Sequence, residues 1–108
     1  MKKGEIWLVE FPPTNGREQA GTRPVIILAD TKTDISIIIP LTSIIQALRF
    51  PYTLEIKPSK LNGLKAESVA MIFQIRAIDK KRLRNKIGNL ENSIMKRINE
   101  LLKKLVEL

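Results

Sequence analysis

The chain has 108 residues and a mass of 12.3 kDa, the size of one compact domain over residues 1–108, and its 44% hydrophobic and 28% charged content is that of an ordinary globular protein. It contains no Cys and no His, which excludes a disulfide framework, a thiolate nucleophile, the usual zinc sites and a Ser-His-Asp triad. Lys plus Arg number 19 against 11 Asp plus Glu, a formal charge of +8 that favours a polyanion: nucleic acid first, with an acidic protein or an anionic membrane satisfying the same electrostatics.

Ile6 to Val9 is too short for a signal peptide before Glu10 interrupts it. Ile35 to Leu48 is broken by Ser36, Pro40, Thr42, Ser43 and Gln46, well short of the roughly 20 apolar residues a spanning helix needs. A cysteine-free domain without such signals is expected in the cytoplasm, with no membrane partner.

In chain order, Glu5 to Phe11 mixes aromatic and β-branched residues and stops at Pro12-Pro13, which predicts a first strand. Pro12 to Thr22 is polar, with Asn15-Gly16 and Gly21, and predicts a long exposed loop. Pro24 to Asp30 and Ile35 to Leu41 are strongly β-branched and predict a hairpin of buried strands. Ile44 to Phe50 reads as a short helix or a loop, and the alternating Tyr52 to Lys57 as a half-exposed strand.

After a turn at Asn62-Gly63, Ser68 to Ile78 reads as one long strand, with Val69, Met71, Phe73, Ile75 and Ala77 on one face and Gln74 and Arg76 on the other. From Asn89 to Asn92 onward, Ile94, Met95, Ile98, Leu101, Leu102, Leu105 and Val106 recur at helical spacing opposite Lys96, Arg97, Lys103 and Lys104. Five strands, one long loop and a terminal amphipathic helix describe a mainly β fold, a small antiparallel barrel or strongly bent sheet covered by a helix.

Arg23 enters one strand of the expected hairpin and Thr42 leaves the other, so pairing brings a guanidinium and a hydroxyl to the same sheet end, where phosphate is the natural ligand. A surface ion pair for Arg23 and a turn cap for Thr42 satisfy the same spacing. Residues 76 to 86 hold Arg76, Lys80, Lys81, Arg82, Arg84 and Lys86 against only Asp79; the run reads either as a solvated face of a short helical turn or as a surface attracting RNA or an acidic peptide. With one Trp, one Tyr and three Phe, electrostatics and hydrogen bonds are expected to outweigh base stacking.

The stretches GEIWLVEF, PTNGREQAGTRPVIIL, IPLTS and QIRAIDKKRL-x3-IG together resemble a MazF/PemK-type toxin, the ribonuclease half of a type II toxin-antitoxin pair, and span most of the chain. The resemblance implies an SH3-like barrel with a terminal helix and a symmetric homodimer. It also implies metal-independent cleavage of single-stranded RNA such as mRNA, with no cofactor, and a cognate acidic antitoxin as partner. Arg23 and Thr42 match the family's catalytic pair, and the Pro12 to Thr22 loop is similar to its mobile loop.

Glu18 is the candidate contributor to proton removal, because the chain has no His and a guanidinium is a poor base. Arg17, Gln19, Ser43 and Gln74 are expected to contact RNA, joined by Arg76, Lys80 and Lys81 of the basic run. The Kid branch has an Arg and an Asp shortly before the matching Gln and a His in the first loop. Here those positions are Met71, Phe73 and Arg17, so the Arg-Thr arrangement of the MazF branch fits better. A related toxin class poisons DNA gyrase without cutting anything; that role and a plain RNA-binding barrel are the alternatives.

Overall fold

A computed structural model describes residues 1–11 and 21–108. The strands are β1 (Glu5–Phe11), β2 (Gly21–Asp30), β3 (Ile35–Thr42), β4 (Thr53–Ile56), β5 (Ser68–Met71), β6 (Arg76–Asp79) and β7 (Leu83–Asn89), followed by the helix α1 (Asn92–Leu105). All the pairings are antiparallel, in the order β4-β5-β3-β2-β1-β7, with β6 also on β3.

The uninterrupted apolar runs of β2 and β3 follow from burial on both faces. Ile26, Ile39 and Leu41 enter a core with Ile6, Leu54, Ile56, Ile72 and Ile98, while Val25, Ile27 and Ile38 enter a second one with Val9 and Ile78. The helix covers the first core: Ile98 is wholly buried, and Ile94, Met95, Leu101, Leu102 and Leu105 pack beside it. Burying a side chain such as Ile98 contributes about 2 kcal/mol. Glu91 holds the cap position of α1 without a side-chain cap bond.

β3 serves two neighbours in succession. Its first half, Ile35 to Ile38, pairs with β6, and its end, Leu41 and Thr42, pairs with β5. The expected single strand over Ser68 to Ile78 is therefore two strands, with a 3₁₀ turn at Ile72–Gln74 between them. That corner overrides the two-residue period: Val69, Ala70 and Ile72 are all buried, whereas Phe73 is turned out beside Phe50, ring centroids 5.7 Å apart.

The basic run is also different from the expected helical turn. Only Lys80–Arg82 is a 3₁₀ turn, and Leu83 onward is β7, a margin strand of the sheet that presents Arg84 and Lys86 to solvent. Cations on an exposed edge discourage pairing with another chain. Because residues 80–82 join β6 at one margin to β7 at the other, the sheet curls back on itself.

The connection from β4 to β5 is organised by Asn62, which is wholly buried. Its Oδ1 accepts from the backbone N–H groups of Ser59 and Leu64, both at 3.0 Å, and its Nδ2 donates to the Lys57 carbonyl at 2.9 Å and to Glu91 Oε1 at 3.3 Å. Gly63, at φ +70°, lies against the Ile87 carbonyl, and Gly88 against the backbone of Asn62, so loop and β7 cross where neither position has room for a Cβ. This crossing holds Leu64 and the residues after it at the sheet end described next.

Candidate functional site

The β2–β3 ladder pairs Ile26 with Ile39 and Val25 with Pro40. Two further places along the same count bring Arg23 level with Thr42, the convergence expected from the hairpin. Both line a cleft of about 540 Å³ between the start of β2, the end of β3 and the loop before β5. Leu8, Leu41, Leu64 and Ile87 give it an apolar wall, and Thr22, Thr42, Ser43 and Ser68 add four hydroxyl-bearing residues. Among the described residues lining it, Arg23 and Lys65 carry the charge, both positive, and no carboxylate is present.

Thr42 is 8% exposed, and its Oγ1 accepts the Ile44 backbone N–H at 3.2 Å. The turn-cap role and the cleft position thus coexist: the oxygen accepts from the backbone, and the hydroxyl proton remains as a donor toward the cleft. Arg23 is half-buried and takes part in no ion pair with the described residues, and its guanidinium fork has the geometry to bind a phosphate bidentately.

Ser43 also lines the cleft. Arg17, Glu18 and Gln19 lie outside the described residues. Gln74, Arg76, Lys80 and Lys81 do not line the cleft. Gln74 is exposed at the corner between β5 and β6, and the Arg76 guanidinium lies over the Phe11 ring at 5.2 Å.

Lys80 Nζ pairs with Asp30 at 2.6 Å, and Lys81 is exposed, its backbone N–H held by Asp79 Oδ1 at 2.9 Å. Arg84 pairs with Glu10 and Lys86 with Glu5 at 3.3 Å, so half of the run's six cations are engaged with carboxylates of β1 and β2. The Lys80 ammonium and the Lys32 backbone N–H hold the Asp30 carboxyl below its ordinary range.

Sequence reasoning missed Lys65, Thr22 and Ser68. Ser68 is 4% exposed and looks like one more strand residue, and Lys65 follows the Asn62-Gly63 turn like any surface lysine. Only the fold of the loop carries Lys65 and Ser68 to Arg23, whereas Thr22 directly precedes it in β2.

Residues 2–106 match the family described as PemK-like, MazF-like toxin of type II toxin-antitoxin system. Over 106 residues the chain is 33% identical to Endoribonuclease EndoA of Bacillus subtilis, covering 94% of this chain and 90% of that protein. It is 36% identical over 106 residues to Endoribonuclease MazF of Staphylococcus saprophyticus, covering 94% and 88%. Among solved structures, the MazE-MazF crystal structure (Form-II) from Deinococcus radiodurans has a similar fold, with a TM-score of 0.79 at 21% identity over 100% of this chain and 96% of that one. The mainly β fold with a terminal helix is the one read from the sequence.

Proposed function

The chain belongs to the PemK-like, MazF-like toxin family, and on that premise we propose that it is a sequence-specific endoribonuclease that cuts single-stranded RNA, mRNA included, without a metal ion. The observation that carries this reading is that Arg23 and Thr42 share one cleft in which the charges of the described lining residues are all positive. Positive charge with hydroxyl donors suits an anion, whereas a hard cation favours carboxylate oxygens, which the described lining residues do not supply.

The substrate supplies its own nucleophile. The 2'-oxygen loses its proton and bonds to phosphorus while the bond to the 5' oxygen breaks; the 5' oxygen takes a proton and leaves. The products are a 2',3'-cyclic phosphate and a 5'-OH. Arg23 stabilises the charge growing on the phosphoryl oxygens through two parallel N–H donors, and Thr42 adds a hydroxyl donor held by its bond from Ile44. Glu18, in the segment between β1 and β2, is the candidate acceptor of the 2' proton. Arg17, Gln19, Ser43 and Gln74 are proposed to guide the RNA, with Arg76 and Lys81 on the flanking surface.

The net charge of +8 suits both an RNA and the acidic antitoxin that opposes a toxin of this family. A cytoplasmic homodimer acting on mRNA, each copy one domain over residues 1–108, completes the reading; no helix of the described residues is long and apolar enough to cross a membrane. The test is incubation of a long single-stranded RNA in EDTA with the protein and with Arg23→Ala, followed by mapping of fragment ends. Discrete cuts ending in cyclic phosphates and lost in the variant are expected. RNA left intact by a folded protein would overturn the proposal.

A further inference from the structure

A phosphodiester carries one negative charge, and attack by the 2'-oxygen after loss of its proton raises the charge at phosphorus toward two. Arg23 supplies one compensating cation. The cleft contains a second, Lys65, on the loop before β5 and outside the basic run of residues 76 to 86. Its backbone is fixed on both flanks: the Leu64 N–H is held by Asn62 Oδ1 at 3.0 Å, and the Ala66 carbonyl accepts from Ser68 Oγ at 3.1 Å. Asn62 is wholly buried and Gly63 is seated against Ile87, so the loop that carries Lys65 is a rigid mount. The side chain itself is exposed and pairs with none of the described carboxylates.

We propose that Lys65 is a catalytic residue that contacts the scissile phosphate opposite Arg23 and stabilises the second negative charge of the transition state. This rests on the endoribonuclease reading. The role is electrostatic: an ammonium placed where charge develops acts with little reorganisation, and no proton need leave it. Two cations lining one cleft match a doubly charged phosphorane better than they match the singly charged ground state, so the effect falls on kcat.

The experiment compares wild type, Lys65→Gln, Lys65→Arg and Lys60→Gln on one single-stranded RNA in EDTA, with thermal melts to verify folding. Lys60 is an exposed lysine of the same loop outside the cleft, and its loss changes the net charge equally. Lys65→Gln is expected to lower kcat by about 10- to 100-fold, somewhat less than loss of a fully enclosed oxyanion donor. Lys65→Arg should recover most of that loss. The slope of log kcat/KM against log salt should shrink by about 0.7 in Lys65→Gln, the value for one phosphate contact on a single strand.

A Lys65→Gln variant with parental kcat, a defect confined to KM, or equal losses in Lys65→Gln and Lys60→Gln would overturn the proposal while leaving the ribonuclease reading intact. RNA untouched by the wild-type chain would overturn that reading, and the role of Lys65 with it.

Discussion

Asn62 reaches Glu91 across the first core's margin, its Nδ2 donating to Oε1 at 3.3 Å, and so ties the loop that walls the cleft to the start of α1. Ser59 Oγ donates to the other oxygen of the same carboxylate at 2.6 Å. Asn62→Ala would leave the buried Leu64 N–H and the half-buried Ser59 N–H without their acceptor. Orphaned buried donors cost about 1 to 3 kcal/mol. A loss of that size is expected in urea unfolding, together with reduced RNA cleavage because Leu64 and Lys65 lose their mount; unchanged stability would show that water replaces the amide.

Acid should weaken the fold through Glu91 and Glu5. Partial burial opposes charge on Glu91, yet the Ser59 hydroxyl, its own backbone N–H and Asn62 together hold its carboxyl below the ordinary value of 4.5. For Glu5 the same opposition is outweighed by the Trp7 indole N–H, the Lys2 backbone N–H and the Lys86 ammonium. A lowered folded pKa stabilises at pH above the unfolded value, and that contribution disappears as pH falls through the folded one. Stability should therefore hold above about pH 5 and decline below the ordinary glutamate range. Chemical denaturation of Glu91→Gln across pH should give a shallower acid limb; an acid limb as steep as the parent's would remove Glu91 from the account.

Thr42 has two duties that substitution separates. Thr42→Ser keeps the oxygen for Ile44 and the cleft donor and is expected to stay within a few-fold of parental kcat. Thr42→Val removes both and should lower kcat by about 100-fold while costing about 1 kcal/mol of stability. Single-turnover cleavage and melting of the pair check this. Equal activity in Val and Ser would confine Thr42 to its turn.

Gly88 was visible in the sequence only as part of an Ile-Gly pair, but a Cβ there would collide with the Asn62 backbone. Backbone cannot swing aside as a flexible side chain can, so Gly88→Ala is expected to destabilise by about 1 to 3 kcal/mol. A parental denaturation midpoint would show that the loop and β7 are free to separate.

The parts legible in the sequence are those with a single local cause. β1 matches its expected bounds at Glu5 and Phe11 because Pro12 ends the apolar run, and α1 follows from its helical period. Arg23 and Thr42 were legible as neighbours because the two strands of a hairpin run antiparallel, so the start of one lies beside the end of the other, and the one-residue bulge between Ile27 and Ala29 shifts the register without separating them. The break after Met71 was not, since nothing in SVAMIFQIRAI announces that β3 changes neighbour between Ile38 and Leu41. β7 was hidden for a similar reason: a margin strand with cations outward and only Leu83, Ile87 and Gly88 half-buried has the composition of a solvated turn. Lys65 reaches the cleft through buried Asn62 and two glycines, contacts that a one-dimensional pattern does not contain.

The β1–β7 ladder joins opposite ends of the chain, pairing Glu5 with Asn89, whereas β2–β3 and β4–β5 join strands close in sequence. Closing so long a loop is entropically costly and is rewarded late, which makes this margin the expected last stage of assembly and the first to part. Glu5→Gln, which weakens the contacts to Trp7 and Lys86, should accordingly quicken unfolding and leave the refolding rate nearly untouched, giving a φ-value near zero in stopped-flow chevrons. A φ-value near one would instead place the joining of the two chain ends in the folding nucleus.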